Sequence, residues 1–416
     1  MAALALFGPQ YDPDLFYYTS GATNWEPGRP PLYTLFLSIC RRLWASPYFP
    51  ALLQIAFWAA AARFLLNAAF SDERSKNVAA LILAWEPVGM YYRVSLLSEG
   101  LFEAALIFQT ALFVRGRYGA AGVAAGLALL TRYSAVFCAP MWLWAAFSPN
   151  PRPQPAEKQL LDVAKRPAYF LDTRYFVLLG PIITLILVLA GHRLLSGGAT
   201  GPGAFLAFHA RPQIPECPVP EGLPRQEVVR RQALCLAQTF AQFPPRVAKV
   251  KADSVLLRRS LTLGASAWAG VYIRHVRDNL VAAASQNRLD YRNDEIRFHE
   301  RDYAELDELA LRLYGLKRAA PEFWTRPLFW NVYMTLIFII LGVTAGMGFK
   351  NKNRGKTLLA LSAFLPLLLL ILSPVPYKTR FVAPWLGLAW VWMVSVWKRG
   401  EWFGVIASPC RGMHRA

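Results

Sequence analysis

Long apolar runs separated by short basic stretches organise this chain. The runs cover 50–70, 77–95, 99–115, 119–131, 133–148, 175–196, 327–349, 357–373 and 381–397. An apolar run of about 18 residues or more is long enough to cross a bilayer as a helix. The pattern therefore predicts an all-α, polytopic transmembrane helix bundle with about nine crossings. The runs on either side of Arg132 are too short to span about 30 Å of hydrocarbon each. They are expected to form a bent pair meeting at a polar pocket, since short helices are tolerated where they line a cavity.

The polar stretches set the orientation. Arg74 and Lys76 follow the first run, and Arg115 and Arg117 follow the third. Further Lys and Arg residues fill the loop 149–174, the loop 350–356 and the stretch after 397. With alternating crossings these all fall on one face, which the positive-inside tendency makes cytoplasmic. The opposite face receives residues 9–49, the tip between Arg93 and Glu99, and a long polar insert at 197–326. The expected organisation is an N-terminal membrane module (1–196), an extracytoplasmic insert (197–326) and a C-terminal membrane module with a cytoplasmic tail (327–416). The insert is helical in pattern at 227–239 and 305–314 and proline-broken at 208–225. Residues 1–8 read as the tail of a span, with no basic segment of a signal peptide before them. A first helix missing from the start is the expected explanation.

Composition agrees with this layout. The chain has 416 residues, 55% hydrophobic and 17% charged, where soluble domains carry roughly 25% charged residues. The net charge of +19 does not point to nucleic acid, because Lys and Arg mostly flank apolar runs. Five Cys make no disulfide scaffold and match no metal motif. Cys217 and Cys235, both in the insert, are able to pair if that space is oxidising.

Candidate chemistry gathers on the extracytoplasmic side. Asp12-Pro13-Asp14 precedes Tyr17 and Tyr18, so two carboxylates sit beside aromatics at the membrane surface. Partial desolvation makes such a carboxylate a credible general base, although Asp is also a favoured helix N-cap. The same two acids are able to hold a divalent metal only with partners that the sequence does not identify. Glu99 stands at the mouth of an apolar helix, as either a functional acid or a first-turn acid favoured by the helix dipole. Glu103, one turn deeper, either joins that site or pairs with an Arg. Arg29, Arg132 and Arg380 face outward, against the positive-inside tendency. Guanidinium groups at that depth suit a phosphate headgroup, and each alone is also compatible with snorkelling to anionic lipid.

The order of these pieces resembles the GT-C membrane glycosyltransferases. The likeness is to bacterial members related to the lipid A aminoarabinose transferase and the protein O-mannosyltransferases. It rests on Pro13-Asp14 with Tyr17 and Tyr18, on Arg29-Pro30-Pro31-Leu32-Tyr33, on Leu97-Ser98-Glu99, and on Gly126-Leu127-Ala128-Leu129-Leu130-Thr131-Arg132. Arg380-Phe381-Val382-Ala383-Pro384, just after Lys378, is similar to the family's closing motif. The resemblance covers 9–147 and 374–397, and the insert matches only in being large and external. It implies a sugar transferase that uses a polyprenyl-phosphate donor on the extracytoplasmic face. Asp14 would then activate the acceptor, with Asp12 as second choice and Glu99 as the second acidic position. Arg29, Arg132, Arg380 and Lys378 would contact the donor phosphate, with Tyr17 and Tyr18 in the substrate pocket. The departure from the family is the absent helix before Asp12.

A polyprenyl phosphate is already a leaving group, so such an enzyme needs a base for the acceptor and positive charge for the departing phosphate. Membrane lipids are the expected surroundings. Two other classes compete. A transporter or flippase of a lipid-linked or anionic substrate predicts broken helices and charges near the midplane. A non-catalytic scaffold leaves the outward acids and arginines as coincidence.

Overall fold

The structure, a computed structural model, describes Pro9, residues 30–147 and 176–196, Ile273, Val276, Arg277, Leu280, Val281, residues 331–339, Gly342, and residues 354–372 and 379–397. The regular elements among these residues are helices, and no strand occurs among them. The all-α expectation therefore holds for this part of the chain.

Helix α1 (Pro31–Leu43) lies within 9–49, where no span is predicted. It starts on Pro31, whose fixed φ suits a first helical position, and buries Tyr33, Leu37 and Cys40 along one stripe. Helix α2 (Tyr48–Ala69) has 22 residues and a mean hydropathy of 1.6. It is the one helix among the described residues that is long and apolar enough to cross a membrane by length and composition. Helices α3 (Glu73–Trp85), α4 (Pro87–Val94), α5 (Ser98–Val114) and α6 (Tyr118–Thr131) follow. A 3-10 turn (Tyr133–Cys138) leads into α7 (Ala139–Phe147). The later helices are α8 (Phe176–Ser196), α9 (Arg354–Leu372) and α10 (Thr379–Trp397). Their described apolar parts are Val177–Leu187, Leu359–Leu369 and Val382–Val396.

Local chemistry explains the ends. Asp72 caps α3 by accepting from Ser75 N at 2.9 Å. Gly116, at φ 70°, closes α5: its N–H reaches Phe113 O and the Arg117 N–H reaches Leu112 O. That is the Schellman arrangement, in which glycine takes the left-handed turn without a Cβ clash. The predicted span 77–95 is not one helix. Pro87 has no N–H to give to Leu83 O, so the i to i+4 ladder stops there. The Glu86 carboxylate then accepts from Val88 N and Gly89 N and starts α4.

Side-chain contacts fix the helix directions. Gln54 reaches Ser95 O, Trp58 reaches Glu103, and Phe64 lies beside Phe108, so α2 and α5 run parallel. Phe102 meets Trp385 edge-on at 5.6 Å, and Gly387 further along α10 faces Glu103 and Ile107 further along α5, so α10 follows the direction of α5 as well. Helix α6 returns antiparallel to α5, with Phe113 beside Tyr118 at one end and Ser98 beside Arg132 at the other. Helix α8 runs parallel to α6 at very close range. A Cβ on Gly180 would fall 1.9 Å from Gly122 O, and one on Gly126 would fall 2.7 Å from Thr184 Oγ1. Small residues spaced by four let the two backbones touch.

Helix α5 is the centre, packed against α2, α4, α6, α9 and α10 and buried along most of its length. The outer faces are apolar too: Phe57, Leu81, Trp85, Val123, Ile182, Ile186 and Leu368 are all exposed. On α5 the polar side chains are turned inward, and they define the site.

Candidate functional site

Two polar places lie along α5, one turn apart. At its N-terminal end the break between α6 and the 3-10 turn leaves Arg132 in an extended conformation (φ −152°, ψ 133°). That kink turns its guanidinium onto α5. Arg132 Nη1 pairs with Glu99 Oε1 and donates to Ser98 Oγ at 3.2 Å. Ser98 Oγ lies 3.4 Å from Glu99 Oε2. Glu99 is buried, whereas the Arg132 side chain keeps 14% of its surface open. The guanidinium is thereby anchored to α5 through both Ser98 and Glu99.

The second place is deeper. Glu103 accepts from Arg93 Nε (3.0 Å) and Nη2 (2.8 Å) and from Trp58 Nε1 (3.0 Å). Arg93 gives its remaining Nη1 to Leu83 O at 2.8 Å, the carbonyl that Pro87 leaves without a helical donor. Its guanidinium also lies 3.9 Å from the Trp58 ring centroid. Glu86, already capping α4, accepts from Tyr333 of segment 331–339 at 2.7 Å. A Cβ on Gly89 would stand 2.4 Å from Arg93 Nη2 and 2.6 Å from Glu86 Oε2. Those two groups are therefore about 5 Å apart or less, within the range where opposite charges couple. Arg93 sits between two carboxylates, and a side chain at position 89 would have to displace the polar ends of Arg93 and Glu86. Trp58 is the eleventh residue of α2, so this cluster lies about 15 Å from either end of that helix.

Of the residues singled out in the sequence, Glu99 and Arg132 are brought together directly. Glu103 points to Arg93 and not to the outer pair. Arg380 falls in the first turn of α10, which runs parallel to α5 and so begins at the Glu99 end. Asp12, Asp14, Tyr17, Tyr18, Arg29 and Lys378 lie outside the described residues, as do Cys217, Cys235 and the helical stretches expected in the insert. Cys40 and Cys138 are buried free thiols. No group of three or more His, Cys, Asp or Glu suited to a metal ion occurs among the described residues.

Glu86, Arg93 and Trp58 were not singled out from sequence, although two signals mark them. An acid directly before proline inside an apolar run, Trp85-Glu86-Pro87, is a helix-start signature. An Arg within such a run, Tyr92-Arg93-Val94, needs an internal partner. Comparison of the chain with protein-family models, with curated proteins and with solved structures found no match to any of the three.

Proposed function

We propose that this chain is a polytopic membrane glycosyltransferase of the GT-C kind. It moves a sugar from a polyprenyl-phosphate donor to a lipid, glycan or protein acceptor on the extracytoplasmic face. The membrane part of the reading is supported by helices that are apolar on their outward faces while their charges pair inside. It is also supported by the up-and-down order of the helix directions, which carries Arg74, Lys76, Arg115 and Arg117 to one end.

The observation that carries the catalytic part is the Glu99–Arg132 pair at the helix break. A buried carboxylate holding a partly open guanidinium suits the binding of a phosphate, which Arg grips through parallel N–H donors. In this reading Glu99 positions Arg132. Asp14, with Asp12 as second choice, takes the proton from the acceptor hydroxyl. The acceptor oxygen bonds to the anomeric carbon while the bond from that carbon to the phosphate oxygen breaks. Arg132, with Arg29, Lys378 and Arg380, stabilises the departing phosphate, and Tyr17 and Tyr18 line the pocket.

Membranes holding matched amounts of each variant, given a labelled polyprenyl-phosphate sugar, test the reading. Asp14→Asn should slow transfer by about 10²–10⁴-fold, since Asn still caps a helix but is no base. Arg132→Ala should weaken donor use by about 1.5–3 kcal/mol for each charged hydrogen bond lost. Unchanged transfer in both variants would overturn it.

A second reading, a transporter of an anionic or lipid-linked substrate, is favoured by a different observation. Helix α3–α4 is broken, and the Glu86–Arg93–Glu103 cluster sits at the middle of the bundle. Broken helices and mid-bundle charges are features of transport sites. Substrate flux into proteoliposomes, in the absence of any transfer activity, would put this reading ahead.

A further inference from the structure

A groove of about 400 Å³ runs along the surface between α2 and α3, away from the Glu99–Arg132 pair. Its size falls within the range of small-molecule sites. One end is apolar and reaches Trp58, Leu83 and Ala84; the other is polar, with Arg63, Asn67, Glu73, Lys76 and Asn77. Small side chains, Ala59, Ala62 and Ala80, leave the trough between the two helices open. Arg63 is exposed and has no ion-pair partner among the described residues, while Lys76 is paired with Glu73 at 2.7 Å. In the groove itself Arg63 and Lys76 stand against Glu73, and Arg115 lies over the ring of Phe64, the residue after Arg63, so the local charge is positive. Next to the groove, Phe57, Leu81 and Trp85 are exposed apolar side chains on the same helices.

We infer that this groove binds an anionic phospholipid, with its phosphate at Arg63 and Lys76 and an acyl chain along the alanines toward Trp58. The polarity gradient selects this occupant. A free anion gains nothing from the alanine trough, and a zwitterionic lipid gains little from the local positive charge. Cations at a membrane surface attract anionic headgroups at about 1 kcal/mol each, or about fivefold in affinity. The site is independent of the sugar-transfer reading, because it uses other residues at the other end of the bundle.

The test uses the full-length chain, purified in detergent and stripped of lipid, with bound lipid counted by native mass spectrometry. Phosphatidylglycerol should bind in preference to phosphatidylcholine. Arg63→Gln should cut phosphatidylglycerol binding about fivefold, and Arg63→Gln with Lys76→Gln should cut it further. Ala59→Phe, at an exposed position lining the trough, should lower occupancy by either lipid without changing the charge. Inorganic phosphate alone should neither bind nor displace the lipid at matched concentration. Equal binding of the two lipids, or phosphatidylglycerol binding unchanged in both Arg63→Gln and Ala59→Phe, would overturn the assignment. So would phosphate alone binding as well as the lipid. Should the double variant fail to fold, Arg63→Gln decides the matter, since that side chain packs in no core.

Discussion

Arg93→Met removes one cation from between two buried carboxylates, and the structure sets the size of the effect. The change deletes two bonds to Glu103, at 3.0 and 2.8 Å, and the 2.8 Å bond to Leu83 O. It keeps most of the side-chain volume, so little of the loss is a cavity. Removing one partner of a buried ion pair costs about 3–5 kcal/mol, because the other charge is left uncompensated. Glu103→Gln is a milder change: Gln keeps an oxygen for Trp58 Nε1, and Arg93 still has Glu86 beside it. Its expected cost is about 1 kcal/mol, that of one ordinary hydrogen bond. The double variant leaves no unpaired charge at position 103; it shares with Arg93→Met the loss of the cation beside Glu86 and a Leu83 carbonyl without its donor, the latter at about 1–3 kcal/mol. The order of stability should therefore be wild type, Glu103→Gln, the double variant, and Arg93→Met last. Equilibrium unfolding of the four proteins in mixed detergent, followed by far-UV circular dichroism, closes the cycle. Interacting residues show couplings of about 0.5–3 kcal/mol in such cycles. If Arg93→Met lies within about 0.5 kcal/mol of wild type, or the double variant is no better than it, uncompensated charge is not what the cluster prevents.

Two other outcomes follow from the packing. Gly180→Ala should force α6 and α8 apart, since its Cβ would fall 1.9 Å from Gly122 O, and lower stability by about 1–3 kcal/mol in the same unfolding assay. Gly342→Ala, with no atom of the described residues within 4 Å of the new atom, should be neutral or stabilising by up to about 1 kcal/mol. Single cysteines at Ala45 and Ser71 flank α2 and should face opposite sides of a membrane. An impermeant thiol reagent should label Ala45→Cys in intact cells and Ser71→Cys only after permeabilisation, and equal labelling of both would refute the crossing of α2.

Apolar run length and the residues that interrupt a helix are local properties, and they were readable directly. The helices at 50–70, 99–115 and 119–131 follow from continuous apolar stretches. The stop at Arg132 follows from the shortness of the runs around it. The break at Glu86-Pro87 was equally local, because proline lacks the donor that Leu83 O needs. The apolar run continues through it, so run length alone hides the break. Which residues meet was not local. Glu99 and Glu103 are one turn apart on one helix, with nothing in their spacing to say that one takes Arg132 and the other Arg93. That choice depends on α2 and α4 packing beside α5 at the level of Trp58, and on α6 ending level with Ser98. The parallel contact of α6 and α8 is likewise set by Gly122, Gly126, Gly180 and Thr184 across more than fifty residues of sequence. Periodicity shows which residues a helix can hide. Only the packed bundle supplies the opposite charge that makes hiding a carboxylate tolerable, and so only it assigns Glu103 to Arg93 and Glu99 to Arg132.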